Sequence, residues 1–244
     1  MPRRIDADSS WLRDPSERRL ADCPCLSQPV SFLDFLSRQQ DRILRLSVEH
    51  LVLVVQALAI GTLIGVTVGV LVARRPAARE VALGTAGLIL TVPSFALFSL
   101  LLGVIGRLGT AVVLPGLVLY SLLPIIRNTV TGLRSVDPAI VESAKGVGMG
   151  PVRRLLRIEL PLAWPVVLAG VRVSAVLLVG IAALGTLVRG PGLGELIFAG
   201  LRIIGSPNAA NLALAGTLAI VVLAILLDAM FLVLARLTTS KGIR

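Results

Sequence analysis

Few residues in this chain could do covalent chemistry. His50 is the one histidine, and Cys23 and Cys25 are the two cysteines. A Ser-His-Asp site would have to recruit His50, and no spacing supplies its partners. Cys23-Pro24-Cys25 has no histidine or third cysteine nearby, so it cannot fill a tetrahedral metal site. No His-Glu-x-x-His run is present. Gly146-Val147-Gly148-Met149-Gly150 and Gly190-Pro191-Gly192-Leu193-Gly194 resemble phosphate loops loosely, but both lack G-x-x-x-x-G-K-[ST]. The expectation is no catalytic residue, no metal site and no cofactor on this chain.

The elements around these residues explain why. The 244 residues are 55% hydrophobic and only 16% charged, and mean hydropathy is +0.90. A net charge of +10 would fit a nucleic-acid binder, but the distribution of apolar residues does not. Leu51 to Ala73, Val81 to Gly106, Leu108 to Ile126 and Ile203 to Leu227 carry no charge. A bilayer crossing takes about 20 apolar residues. A fifth stretch, Val166 to Val188, is interrupted only by Arg172, placed about two turns inside one end and within snorkelling reach of the interface. Asp228, near Arg236, also reads as interfacial. The fold class expected is all-α: a transmembrane bundle of about five spans at 51–73, 82–105, 109–127, 166–188 and 209–235. Residues 1–30 read as a polar tail, 31–50 as an amphipathic interfacial helix, 51–236 as the membrane domain and 237–244 as a C-terminal tail.

The charge orients the bundle. Segments on one side sum to +8 and those on the other to +2. The positive-inside rule then places the N-terminus outside and the C-terminus in the cytoplasm, in a multi-pass cell-membrane protein. Within the spans, Gly61, Gly65 and Gly69 share one face and predict close helix packing. Pro93 and Pro124 interrupt spans two and three, either as ordinary kinks or as breaks lining a pathway. Thr91, Pro93, Ser94, Phe95, Tyr120 and Asn128 are the candidates for such a path.

The cytoplasmic segment 135–161 is the most informative. Asp137 is a good N-cap and Pro138 suits the first helical position. Glycines at 146, 148 and 150 end this helix, and Pro151 starts a second one carrying Arg153, Arg154 and Arg157. Such a helix pair can dock into a partner's groove, or serve as a plain connector.

The segment resembles the coupling motif of ABC importer permeases, Glu-Ala-Ala-x3-Gly-x9-Ile-x-Leu-Pro. Here it reads Glu142, Ser143, Ala144, Gly148, Ile158, Leu160 and Pro161, with Ser143 the one departure. Thr91-Val-Pro-Ser, Leu122-Leu-Pro-Ile-Ile-Arg-Asn-Thr and Gly190-Pro-Gly-Leu-Gly-Glu resemble the osmoprotectant branch of that family. Methionine and other small-solute importers share the coupling motif. The resemblance implies a type I ABC importer permease with a cytoplasmic coupling helix pair. It also implies a cytoplasmic ABC ATPase dimer that holds the ATP and Mg, a second permease subunit, an extracytoplasmic solute-binding protein and surrounding membrane lipid, with no nucleic acid. The implied cargo is a quaternary amine such as glycine betaine, choline or carnitine. The seven motif residues would couple to the ATPase, with Gly148 giving the turn its tightness.

Overall fold

A computed structural model describes residues 31–238. The polar tail at 1–30, with its Cys23-Pro24-Cys25, and residues 239–244 lie outside them. The described chain is helical: α1 (Phe32–Arg38), α2 (Gln40–Val72), α3 (Pro76–Thr91), α4 (Ser94–Ile105), α5 (Thr110–Arg134), α6 (Pro138–Gly146), α7 (Pro151–Arg154), α8 (Leu160–Leu184), α9 (Gly194–Arg202) and α10 (Ala209–Thr238). A wide π turn, Leu155–Glu159, joins α7 to α8, and a 3-10 turn, Gly185–Val188, follows α8.

Four helical stretches are long and apolar enough to cross a membrane: Gln40–Val72, Thr110–Arg134, Pro151–Val188 and Ala209–Thr238. The bent pair α3 and α4 makes a fifth if counted as one span. The expected bundle of about five spans is therefore observed, but the second is not the continuous helix expected at 82–105. Its halves meet at 101°. The cause is Pro93, which lacks an N–H and pushes the preceding residue out of the helical region. Val92 accordingly sits at φ −66°, ψ 128°.

The first span also differs from expectation. Residues 31–50 do not form a helix of their own. The break falls at Gln39, and 40–50 run straight into the span as part of α2. Leu46 of this extension is buried with Leu193 and Leu196 next to α9, Leu44 and Val48 stay exposed, and Arg42 pairs with Glu195 at 2.7 Å.

α5 is the central helix and packs against α2, α8, α3 and α4. In lipid, helices gain little from hydrophobic burial and associate through close contact and hydrogen bonds. The expected glycine face supplies that contact. A Cβ at Gly61 would lie 1.9 Å from Ser121 Oγ, at Gly65 2.7 Å from Ile125 Cγ2, and at Gly69 2.6 Å from Thr129 Cβ. Glycines four residues apart on α2 thus face side chains four apart on α5. Ser174 Oγ on α8 donates to Ser121 O at 3.1 Å, which ties the third helix to the same level.

His50 reinforces this core without doing chemistry. It is fully buried. Leu193 N–H donates to its Nδ1 at 3.3 Å, and its Nε2 lies 3.1 Å from Val179 O. Those partners assign the neutral tautomer with the proton on Nε2. Both ring nitrogens are occupied, so α2, α8 and the 190–194 loop are pinned together. The glycines of that loop serve close packing, since a Cβ at Gly194 would sit 2.0 Å from Ala183 O.

Candidate functional site

The coupling-motif residues lie on α6, the turn after it, and the stem leading into α8. Asp137 caps α6 by accepting from Ala139 N–H at 2.8 Å. Pro138 occupies its first turn. The far end closes in a tight reversal: Gly148 N–H donates to Lys145 O at 2.9 Å, and Met149 N–H to Ala144 O at 3.1 Å. This crossed pair is a Schellman motif, which needs a left-handed residue between its two donors' partners and the exit. Gly148 is that residue, at φ +80°. A Cβ there would meet nothing within 4 Å, so the requirement is conformational and the turn's outer surface is open.

Glu142 and Ser143 are exposed, and Ala144 is buried. Ser143 spends its hydroxyl on Ala139 O at 2.8 Å, within the helix. Ser143, Ala144 and Ile158 come together, with Ile140, Val147 and Met149, around an open hollow of about 440 Å³. Ile140, Val147 and Val152 stay exposed nearby. Leu160 and Pro161 line a separate hollow with Leu156 and Trp164.

The expected pair of short cytoplasmic helices is corrected here. α6 is one, but α7 is no separate helix. It continues through the π turn into α8 as a single stretch, Pro151–Val188. In a regular helix the Pro161 ring would clash with the carbonyl four residues before it. The wide turn at 155–159 lies where that clash would fall. The stem is therefore continuous with the span.

Glu159, at the unspecified position of the motif, was not singled out by spacing. It is buried, its Oε1 accepts from Arg154 Nε at 2.8 Å, and it also accepts from Arg74 Nη2. Arg74 follows α2. The carboxylate thus makes a buried pair within the stem and an exposed bridge to the end of the first span. The sequence holds one weak signal of this, an acid among Arg153, Arg154 and Arg157.

The path candidates do not share one surface. Thr91, Pro93 and Phe95 are exposed around the α3–α4 break, with Ser94 half-buried. Tyr120 is buried and donates to Val92 O at 2.7 Å, so it holds the break instead of facing an opening. Asn128 donates to Pro124 O at 2.8 Å and lies against Gly170 of α8, where an added Cβ would come 2.6 Å from Asn128 Cβ.

Arg172 and Asp228 form a pair that the sequence reading separated. Arg172 Nε and Nη2 donate to Asp228 Oδ1 and Oδ2 at 2.6 and 2.8 Å. Each charge is thus held by a partner on another span. Arg172 sits midway along Leu160–Leu184, about 18 Å from each end of a helix rising 1.5 Å per residue. α8 begins earlier than the expected span, and that moves Arg172 to mid-helix. Among the described residues, no group of three or more His, Cys, Asp or Glu could hold a metal ion.

Residues 61–240 match the family described as binding-protein-dependent transport system inner membrane component. The chain is 39% identical over 203 residues to the osmoprotectant import permease protein OsmW of Salmonella typhimurium, covering 82% of this chain and 93% of that protein. It is 34% identical over 212 residues to the choline transport system permease protein OpuBB of Bacillus subtilis, covering 87% and 95%. Among solved structures, an inward-facing MetNI methionine ABC transporter superposes with a TM-score of 0.72 at 21% identity, covering 83% of this chain and 99% of that one.

Proposed function

The chain belongs to the binding-protein-dependent transport system inner membrane component family and is a permease subunit of an ABC importer, and from that premise we propose that its cargo is a quaternary-amine osmoprotectant such as glycine betaine, choline or carnitine. The relatives named for osmoprotectant and choline transport, each matched over more than 90% of its length, support this class. The permease sits in the inner membrane as a multi-pass protein. We place its N-terminus outside and α6 in the cytoplasm, on the side where +8 of the charge falls.

The observation that carries the mechanism is the junction of α6, the Gly148 turn and the stem. An exposed, capped helix with an apolar hollow beside it is built to enter a groove on an ATPase subunit. The stem runs unbroken into α8, which packs along α2. A displacement of α6 by closing ATPases would therefore reach two spans at once. A second permease completes the passage, an external binding protein delivers solute, and ATP and Mg reside on the ATPase pair.

The cargo is tested by uptake. The permease, its ATPase and its binding protein are reconstituted, and radiolabelled glycine betaine, choline, carnitine and methionine are offered in turn. Uptake of one or more quaternary amines, with methionine ignored, is the expected outcome. Uptake of methionine alone would overturn the assignment.

A further inference from the structure

We propose that the Arg172–Asp228 pair is a polar station for zwitterionic or cationic solute inside the membrane passage. This rests on the proposed quaternary-amine cargo.

The pair lies at mid-helix depth on α8 and bridges to α10 in a bidentate geometry. Its side chains are not sealed in the bundle: 36% of Arg172 and 35% of Asp228 are exposed. They open into a cleft of about 570 Å³, lined by Leu168, Val173, Val176 and Leu177 of α8 with Phe231 of α10. That is the size of a small-ligand pocket. Ionised groups within a span face protein or a water-filled cavity, because lipid tails cannot solvate them. The cleft is open and leaves the pair partly exposed, so the α8–α10 face belongs toward the aqueous passage.

The chemistry of the cleft is complementary to the cargo. A quaternary ammonium has no N–H to donate, so it is recognised by negative charge and by aromatic faces. Asp228 supplies the charge, and Phe231, one helical turn on, is the aromatic lining residue. Arg172 offers the forked donor that a solute carboxylate pairs with. A zwitterion can exchange partners with the pair, its carboxylate on Arg172 and its ammonium on Asp228. The bound pair is restored when it leaves. Re-forming the ion pair offsets part of the cost of losing the solute, which favours release.

The test uses the full complex with its ATPase in proteoliposomes, and Cys23 and Cys25 replaced by serine. Val176→Cys then places a thiol in the cleft while leaving the ion pair intact. A hydrophilic maleimide should label it, and saturating glycine betaine should slow labelling several-fold. Addition of Arg172→Gln should abolish that protection. Labelling by a membrane-soluble maleimide alone would mean a lipid-facing cleft and overturn the proposal. No labelling by either reagent would mean that the second permease covers the cleft, which also overturns it. Labelling that no quaternary amine imported by the complex slows does the same. Uptake by the unmodified complex separates the two ideas. If quaternary amines are imported but Val176→Cys is not protected, only the station fails. If none is imported, the cargo assignment fails.

Discussion

Arg74, just past the end of the first span, donates to the carboxylate of Glu159 in the stem of the fourth, across 85 positions of sequence. Arg154 donates to the same oxygen from within the stem. Arg154 and Glu159 side chains are 8% and 3% exposed, whereas Arg74 is 57% exposed. Breaking a buried pair costs about 3–5 kcal/mol, while an exposed partner contributes about 0–1 kcal/mol. Glu159→Ala should therefore lower the thermal unfolding temperature of the purified permease sharply. Arg74→Ala should barely change it. Equal shifts in the two variants would show that the Arg154–Glu159 pair is not buried as described.

The glycine ladder makes a paired prediction. Gly61→Ala forces a methyl toward Ser121 Oγ, 1.9 Å away. Overpacking of this kind costs about 1–3 kcal/mol. Ser121→Ala removes that oxygen and leaves the Cβ at 3.0 Å. The double variant should recover a measurable part of the lost stability in a double-mutant cycle. Strict additivity would mean that the two helices do not touch there.

Gly148 is required for its backbone and not for space. Gly148→Ala should cost about 1–2 kcal/mol of left-handed strain. Gly148→Asn should cost less, because asparagine tolerates that region. Unfolding midpoints of the two variants decide the matter, and Asn doing worse than Ala would contradict the Schellman turn.

His50→Ala should destabilise without altering transport per assembled complex. It leaves Val179 O and Leu193 N–H without their bonds in a buried site, at about 1–3 kcal/mol for each orphaned group. Uptake normalised to folded protein should stay at the wild-type value. A selective loss of turnover in stable protein would give His50 a role in the reaction cycle.

Much of this was legible in local sequence because the physics is local. A charge-free run of about 20 residues marks a span. Asp137-Pro138 marks a helix start, and Gly148 marks its end. Gly61, Gly65 and Gly69 share a face by helical period alone. Other features depend on partners far along the chain. Arg172 and Asp228 lie 56 residues apart, and each alone looks like an interfacial charge. His50 looks like a span-end residue until Val179 and Leu193 arrive beside it. The 101° bend was signalled by Pro93, but a proline alone does not distinguish a kink from a break. The extended Val92 and the Tyr120 bond to its carbonyl decide that, and both are tertiary. Pro151 suggested a separate short helix, but the π turn after it lets one helix continue.

If α6 docks on the ATPase as proposed, ATP hydrolysis reaches the spans through it. Ser143→Trp tests it most directly, because Ser143 is exposed on a regular helix, where tryptophan strains nothing in this chain. The variant should unfold at the wild-type temperature. Reconstituted with its ATPase and binding protein, it should lose solute-stimulated ATP hydrolysis and uptake together. Wild-type stimulation and uptake in stable Ser143→Trp complex would contradict the account.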